Sequence, residues 1–493
     1  MKILLIDPPF YRIFGFYNRY FPFGITSLAT LLKKQGHHVL VYDADCNDKP
    51  ENFDYTRLPK YYNTYLESFK NSHHSVWEEV KQNIKDFKPD VVGITIWTTY
   101  AASAFHVAKI CKELNSACPV IMGGPHATVK AEEILNISPH IDYVVRGEGE
   151  FTTSELINAL ESAKKGLTSI TGLSFRQQGQ IIHNPNREPI KNLDILPFPD
   201  RALLLNENKY SSEDMGLIMT SRGCPYSCSY CATHTKRVSY RTANHIIDEI
   251  KFVKNRYNTT QFTFKDDSFT VNQKRVSQLC DEIIKEKLKI NWECNTRVDL
   301  VNEDLLRKVK KAGCNSIKVG VESGNPGILQ QINKGITHEQ IRNASKLFNK
   351  VGIYWTGYFL MGIPGETVEN IYETLNLMYE IKPDFASIGV YEPFPGTLMF
   401  AVGKEKGLVK PEMTLDDFYK VLPNHYYKVD STRQVNTIEP EQFNILEKEI
   451  KNRFHDYNKN FRRLLKRAAS RIQLYSTQPH ALFGDFKKYL NWK

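Results

Sequence analysis

Three closely spaced cysteines stand out as candidates for chemistry: Cys224, Cys228 and Cys231, in the run TSRGCPYSCSYC that begins at Thr220. An iron–sulfur cubane normally takes four thiolate ligands, so the spacing Cys-x3-Cys-x2-Cys would leave one iron open to a molecule that is not protein. Two alternatives are a chance group of structural thiols and a zinc site. Zinc requires four ligands, and His234 could complete such a set.

Strands and helices alternate in the first part of the chain, residues 1–165. Short apolar strands begin at Lys2, His38, Asp90, Pro119 and Tyr143, and helical patterns separate them. This alternation predicts an α/β domain with a doubly wound, Rossmann-like sheet, in which ligands bind at the carboxyl ends of the strands.

A second and longer alternation covers residues 206–402 and contains six strand–helix repeats. Right-handed parallel connections predict a partial (β/α)6 barrel, similar to a TIM barrel, with its chemistry at the carboxyl ends of the strands. The cysteines follow the first predicted strand, Leu217–Ser221, and this position favours the open cluster over zinc. We expect a hairpin and linker over 166–205 and a mostly helical C-terminal cap over 403–493.

The overall composition predicts what kind of protein this is and where it works. Nine cysteines is an odd number, and those outside the trio are scattered singly, which predicts a reduced, cytoplasmic protein. We expect no transmembrane segment, because the apolar runs are too short, and no signal peptide. The net charge of +10 is concentrated near the C-terminus, where a solvated helix face is favoured over contact with an acidic substrate, a membrane or RNA.

The cysteine loop and the six repeats together resemble the radical S-adenosylmethionine superfamily. The resemblance implies a 4Fe-4S cluster on Cys224, Cys228 and Cys231, with S-adenosylmethionine bound at the open iron. An external one-electron reductant such as flavodoxin or ferredoxin would supply the electron that breaks the sulfonium bond. The resulting 5′-deoxyadenosyl radical would abstract hydrogen from the substrate.

The resemblance also assigns roles to residues at the strand ends. Tyr230 matches an aromatic residue near the adenine, and Arg297 would pair with the methionine carboxylate. The remaining candidates for contacts to S-adenosylmethionine are Asp266 and Asp267 near the amino group, and Glu322 with Ser323 near the ribose. The two aspartates are equally consistent with simple capping of a strand end.

The first domain resembles the cobalamin-binding domain that is fused to such barrels, through the segments GGPHAT from Gly123 and RGEGE from Arg146. A dinucleotide is disfavoured because no G-x-G-x-x-G follows the first strand. The resemblance proposes these cobalamin contacts: Gly123 and Gly124 by close backbone approach, Thr95, Thr98 and Ser103 to the nucleotide tail, and also His126, Gly147 and Glu148. His106 lies in a helical pattern and is predicted to pack.

One departure concerns the lower face of the cobalt. Many cobalamin domains carry Asp-x-His-x-x-Gly after the first strand, whereas this chain reads DPPFYRIFG from Asp7, without histidine. The resemblance therefore implies cobalamin without a histidine lower ligand, and Trp97 is a candidate to cover that face.

Together these features predict a cobalamin-dependent radical S-adenosylmethionine enzyme. The leading expectation is methyl transfer to an unactivated carbon by way of a 5′-deoxyadenosyl radical and methylcobalamin. One alternative is radical cyclisation or rearrangement with the same cofactors, and another is a non-catalytic cobalamin-binding regulator or carrier. A methylthiotransferase is disfavoured, no nucleic acid partner is expected, and the substrate is a small molecule, a lipid or another natural product.

Overall fold

The computed structural model describes residues 1–16, 20–46, 61–71, 73–162, 166–233, 235–429 and 437–472, together with 475 and 482. These residues form two compact units. The first unit comprises Met1–Met215 with the segments Phe394–Gly396 and Lys404–Tyr427. The second comprises Gly216–Pro393, Thr397–Gly403 and the described residues from Lys428 onward.

The first unit is built on a seven-stranded sheet in the order β2-β1-β3-β4-β5-β6-β7. Its strands are β1 Lys2–Asp7, β2 His38–Asp43, β3 Val91–Thr95, β4 Val120–Gly123, β5 Tyr143–Val145, β6 Leu173–Gln177 and β7 Gln180–His183. The first five strands are parallel, as predicted. The strand order reverses between β1 and β3, and in such sheets ligands bind at this switch point.

The hairpin predicted between the two domains is part of the first sheet. Strand β6 runs antiparallel to β5, with Tyr143 opposite Phe175, and β7 forms the sheet edge. The turn has positive φ at Gln178 (50°) and Gly179 (79°), which suits a two-residue hairpin turn.

Among the described residues, six helices connect these strands: α1 Phe23–Lys34, α2 Tyr62–Lys70, α3 Ser75–Phe87, α4 Ala101–Leu114, α5 Pro125–Ile137 and α6 Gly149–Glu161. Helix α5 begins at Pro125. Pro125 suits the first turn of a helix because its missing N–H would have no partner there. Lys130 has non-helical angles, so the helix is kinked at that residue.

The second unit contains a six-stranded parallel sheet in the order β15-β14-β13-β12-β11-β8, which confirms the partial barrel. Its strands are β8 Leu217–Ile218, β11 Gln261–Phe264, β12 Asn291–Thr296, β13 Cys314–Glu322, β14 Tyr354–Met361 and β15 Phe385–Val390. The connecting helices are α7 Ala243–Tyr257, α8 Gln273–Lys285, α9 Glu303–Lys311, α10 Pro326–Gln331, α11 His338–Val351 and α12 Val368–Ile381.

The first barrel strand is shorter than the predicted Leu217–Ser221. After β8 the chain leaves the sheet, and β9 Ser221–Arg222 pairs antiparallel with β10 Ser239–Tyr240. This two-stranded ladder brings together the two ends of the segment that carries the cysteines.

The helices after β15 divide between the two units. Helices α13 Leu398–Glu405, α14 Leu415–Lys420, α15 Pro440–Asn458 and α16 Phe461–Ser470 make up this region. Helix α14 contacts α4 and α2 in the first unit, and α15 contacts β15 and α12 in the second. No helix in the described ranges combines the length and apolar character needed to cross a membrane.

Candidate active site

The cysteine loop rises from the β9–β10 ladder. Cys224 and Cys228 are half-buried, Cys231 is exposed, and all three thiols are free. The N–H of Cys231 donates to the Cys228 carbonyl oxygen at 3.1 Å. Gly223 has a φ of +92°, and a Cβ there would stand 2.3 Å from the Arg237 carbonyl oxygen, so only glycine fits where the loop begins.

The chemistry of this donor set fits an iron–sulfur cluster. Burial raises the pKa of the Cys224 thiol, and nearby charges on Asp267, Cys231 and Cys228 raise it further. Thiolates carried by one short loop repel one another, and a bound cationic centre removes that cost. Within the described ranges, no three His, Cys, Asp or Glu side chains stand close enough together to hold a metal ion. His234, the zinc alternative, lies outside the described residues.

A short segment after α10 holds the cysteine loop. The N–H of Ser229 donates to the Ile332 carbonyl oxygen at 2.9 Å, and its hydroxyl donates to that of Gln331 at 3.2 Å. The Asn333 amide donates to the carbonyl oxygen of Ser227 at 2.9 Å. Sequence reasoning missed this support. The sequence feature that could have indicated it is Asn-Lys-Gly after a helix, a combination typical of left-handed backbone.

Tyr230, Glu322 and Lys334 form a hydrogen-bonded group beside the loop. Tyr230 Oη donates to Glu322 Oε1 at 2.7 Å, and Lys334 Nζ lies 2.7 Å from the same oxygen and 3.2 Å from Tyr230 Oη. Glu322 has a φ of +67° at an irregularity between β13 and β14. A Cβ on Gly320 would stand 2.2 Å from Glu322 Oε1, so this glycine makes room for the carboxylate.

Two of these three side chains were predicted to contact S-adenosylmethionine, and the structure brings them together. Lys334 was missed, because a single lysine in a loop carries no pattern that distinguishes it from a solvated charge. Both Glu322 and Lys334 are buried, so the pair excludes water while keeping its charges balanced.

The guanidinium of Arg297, which the resemblance assigns to the methionine carboxylate, already has hydrogen-bond partners within the protein. Its Nε and Nη2 donate to the two oxygens of Asp299 at 2.9 and 3.1 Å, and Nη2 also donates to the Lys334 carbonyl oxygen at 2.7 Å. The guanidinium stacks 3.7 Å from the ring centroid of Tyr226, and Nη1 lies 3.9 Å from Cys228 Sγ. Arg297 thus braces the cysteine loop, because Asp299, two residues later, occupies the fork.

Asp266 and Asp267 have different environments. Asp266 is buried and accepts three hydrogen bonds, from the N–H and hydroxyl of Thr220 and from the hydroxyl of Ser221, at 2.5–2.6 Å. Asp267 is exposed and accepts from the N–H of Gly223. The structure therefore gives Asp266 the role of a strand-end cap, and it leaves Asp267 open to a ligand.

Ser323 is likewise part of the fold. It is fully buried, its hydroxyl lies 3.2 Å from that of Thr374, and the N–H of Asn325 donates to it.

In the first unit, two candidate glycines differ in their surroundings. Gly124 has a φ of +115°, and a Cβ there would stand 2.8 Å from the Ile96 carbonyl oxygen, so packing within the sheet requires this glycine. Gly147 has a φ of +74° and nothing within 4 Å of where its side chain would stand, so the space on that side is open, while its N–H donates to Thr128 Oγ1 at 3.0 Å. A Cβ on Gly123 would meet only ordinary contacts, and Glu148 accepts from the N–H of Ile190 at 2.6 Å.

His126 and Thr98 form a pair, with Nδ1 and Oγ1 3.0 Å apart. Burial lowers the pKa of His126 to about 3, so the ring is neutral. Phe418 and Tyr427 pack around the ring, and its Nε2 has no hydrogen-bond partner among the described residues. His106 contacts Trp77 at 4.5 Å between centroids, in keeping with a packing role.

Ser103 contacts protein groups within the first unit. The side chain is fully buried, and its hydroxyl lies 2.6 Å from the Pro9 carbonyl oxygen and 2.9 Å from Tyr65 Oη. Thr95 is half-buried at the end of β3, whereas Trp97 keeps 50% of its surface exposed.

Comparisons with known proteins agree with the two units. The family model of the radical SAM superfamily matches residues 218–378, and that of the B12 binding domain matches residues 15–157. A protein of Pyrococcus horikoshii named uncharacterized methyltransferase is 34% identical over 81% of this chain and 82% of its own length. The chain belongs to the cobalamin-dependent radical S-adenosylmethionine family.

Other similar proteins carry names that state different activities. The anaerobic magnesium-protoporphyrin IX monomethyl ester cyclase of Rubrivivax gelatinosus is 29% identical over 81% of this chain and 69% of its own length. The methyltransferase TsrM from Kitasatospora setae, solved with cobalamin and a 4Fe-4S cluster, matches with a TM-score of 0.64 and 18% identity, over 84% of this chain and 79% of its own. The cobalamin-dependent enzyme OxsB, solved with aqua-cobalamin and S-adenosylmethionine, matches with a TM-score of 0.69 and 18% identity. The match covers 98% of this chain and 72% of OxsB. These structures confirm the predicted fold class.

Proposed function

We propose that the chain transfers a methyl group from S-adenosylmethionine to an unactivated carbon of a small organic substrate. The observation that carries the proposal is a loop of three free thiols, Cys224, Cys228 and Cys231, in a chain that also contains a B12 binding domain. The relative from Pyrococcus horikoshii, which covers four fifths of the chain, is named a methyltransferase.

When bound, a cluster with one open iron supplies the electron that cleaves S-adenosylmethionine, and cobalamin supplies the cobalt that carries a methyl group. The three thiolates hold the cluster, and Arg297 keeps their loop in position through Tyr226. Glu322 accepts hydrogen bonds from ribose hydroxyls, while the ion pair with Lys334 at 2.7 Å holds its carboxylate in place within a buried site. Tyr230 contributes its ring to the adenine side, and Asp267 is the aspartate available to the methionine amino group.

We also propose that cobalamin binds without a histidine below the cobalt. His126 is buried, neutral and covered by Phe418 and Tyr427, and no histidine follows the first strand. Trp97 is the exposed side chain we assign to that face. The electron paramagnetic resonance spectrum of the cobalt(II) form tests this, because an axial nitrogen would split its lines in three. Such splitting in the wild type that disappears in His126→Ala would contradict the proposal.

Methyl-labelled S-adenosylmethionine separates the main candidates. Anaerobically reconstituted enzyme with a reductant should transfer the trideuteromethyl group to product and release 5′-deoxyadenosine. Release of 5′-deoxyadenosine with an unlabelled, rearranged product would favour the cyclase alternative, which the relative from Rubrivivax gelatinosus supports. Absence of both would favour a cobalamin-binding regulator or carrier.

The variant Cys228→Ala tests a two-module arrangement, in which the cluster and cobalamin bind to separate units of the chain. It should abolish 5′-deoxyadenosine release and leave cobalamin binding largely intact, because the first unit holds the B12 binding domain. Loss of both properties would contradict the arrangement.

The surroundings in which the enzyme works follow from its cofactors. We propose that it operates in the cytoplasm, since all nine cysteines are free and the cluster requires a reducing environment. An external one-electron reductant such as flavodoxin or ferredoxin supplies electrons, and the substrate is a small molecule, a lipid or another natural product.

A further inference from the structure

Helix α16 turns apolar side chains outward from the second unit. Phe461 and Leu465 keep 69% and 54% of their surface exposed, and Ile472, just after the helix, keeps 70%. Their spacing of four and seven residues places all three on one face at the helical period. A surface helix normally buries its apolar stripe and exposes its charged face. This helix does the opposite, which differs from the solvated, charged face that the sequence favours.

Cationic side chains of α16 contact the protein instead. The guanidinium of Arg463 lies 3.6 Å from the ring centroid of Tyr457, and its Nε donates to the Pro383 carbonyl oxygen at 3.4 Å. Lys466 Nζ lies 2.6 Å from Asp384 Oδ1. These contacts fix the orientation in which the apolar face of the helix points to solvent.

The chain around this helix is strongly basic. Residues 459–493 contain nine lysines and arginines and one aspartate, a net charge of +8, whereas the whole chain carries +10. The same stretch contains six aromatic residues, one of which is Trp492. Clustered basic residues next to exposed apolar and aromatic ones are typical of segments that lie in a membrane–water interface. A membrane with anionic lipids complements both the charge and the apolar face.

Two other partners fit these observations less well. A second copy of the chain would bring two segments of +8 together, and like charges oppose such a contact. RNA would be bound mainly through cations. On α16, however, Arg463 and Lys466 are engaged within the second unit, and the exposed face is apolar.

The helix lies at the amino edge of the barrel sheet. Asp384 directly precedes β15, and Asn315, near the start of β13, donates from Nδ2 to the Ser470 carbonyl oxygen at 3.3 Å. The cysteine loop follows the opposite, carboxyl end of β8. A partner bound to the outer face of α16 would therefore not enter the candidate active site.

We propose that the exposed face of α16, formed by Phe461, Leu465 and Ile472, binds the surface of a membrane that contains anionic lipids. The apolar side chains enter the boundary between headgroups and acyl chains, and the basic stretch 459–493 is attracted to the headgroups. The proposal concerns where the protein works, and it does not rest on the proposed reaction.

Co-sedimentation of the full-length apo-protein with lipid vesicles tests this surface. Phosphatidylcholine vesicles with about one third phosphatidylglycerol should bind the wild type roughly tenfold or more tightly than pure phosphatidylcholine vesicles, and added salt should weaken the binding. Phe461→Ser combined with Leu465→Ser should weaken binding to the anionic vesicles by roughly tenfold or more, because two apolar side chains no longer enter the lipid.

The matched control is Ile445→Ser. Ile445 is 71% exposed on α15, and it lies 13 residues, or about 20 Å, before the end of that helix. This variant should bind the anionic vesicles as the wild type does. All variants should retain the wild-type yield of 5′-deoxyadenosine after reconstitution, because the substituted side chains lie away from the cysteine loop.

No binding to either kind of vesicle, equal binding to both, or equal binding by the wild type and the double variant would overturn the proposal. So would a wild-type dimer that the double variant does not form, or retention of an RNA oligomer in preference to the anionic vesicles. Because sedimentation with vesicles requires neither cluster nor cobalamin, its failure is distinguishable from failure of the labelled methyl transfer.

Discussion

The neighbouring aspartates Asp266 and Asp267 offer a sharp test of how the cysteine loop is positioned. Asp266→Asn should destabilise the second unit, because the buried carboxylate accepts three hydrogen bonds from Thr220 and Ser221. A hydrogen bond to a charged group contributes roughly 1.5–3 kcal/mol, and a neutral one about 1. Weakening all three bonds by about 1 kcal/mol each predicts a loss of about 3 kcal/mol.

Urea unfolding of the apo-protein measures this loss, and the iron bound after anaerobic reconstitution measures the consequence for the loop. Thr220 leads directly into the segment that carries Cys224, so iron incorporation should fall in Asp266→Asn. The matched control is Asp267→Asn, whose exposed carboxylate should cost only about 0.5 kcal/mol. If both variants lose the same stability, or if Asp266→Asn loses less than about 1 kcal/mol, the assignment of Asp266 as the cap is wrong.

Three other predictions concern buried charged residues of the second unit. Lys334→Met should cost about 3 kcal/mol, because Glu322 would stay buried without its partner, and adding Glu322→Gln should recover more than half of the loss in urea unfolding. Burial raises the pKa of Glu366 from 4.5 to about 7, so the folded state takes up a proton that the unfolded state releases. Relative to Glu366→Gln, wild-type stability should therefore fall by roughly 3 kcal/mol between pH 4.5 and 7 and then level off, and a rise over that range would contradict the sign. Arg297→Lys keeps the charge but loses the fork and the stack on Tyr226, so reconstituted iron should fall while cobalamin binding is retained.

Periodicity and turn residues predicted most of the fold. The alternation of strand and helix in both halves was recoverable because apolar strands such as Val91–Thr95 are short and bounded by helical patterns. The hairpin β6–β7 was recognised, but its pairing with β5 was not, since strand order is set by contacts distant in sequence. The first barrel strand was drawn too long, because the hydrogen bonds from Thr220 to Asp266 that end it are equally non-local.

The sequence predicted the three cysteines of the site, but it predicted few of the residues that hold them in place. The cysteine spacing is a local pattern, whereas the partners of Arg297 and Glu322 lie between 2 and 92 positions away in the sequence, and no motif links them. Asp43 and Asp45 show the same limit: burial raises their pKa values to about 6 and 7, and no sequence pattern distinguishes them from ordinary strand-end carboxylates. The burial of the Ser103 hydroxyl beside Tyr65 could not be predicted either, because a buried hydroxyl and an exposed one look identical in sequence.

The metal content of the full chain tests the account most directly. Protein purified and reconstituted without oxygen, in the presence of cobalamin, should hold one cubane cluster by Mössbauer spectroscopy and one cobalt per chain by elemental analysis. Zinc in the cysteine loop, or iron that never assembles into a cubane, would contradict the account, because the thiol trio would then have no means of starting radical chemistry.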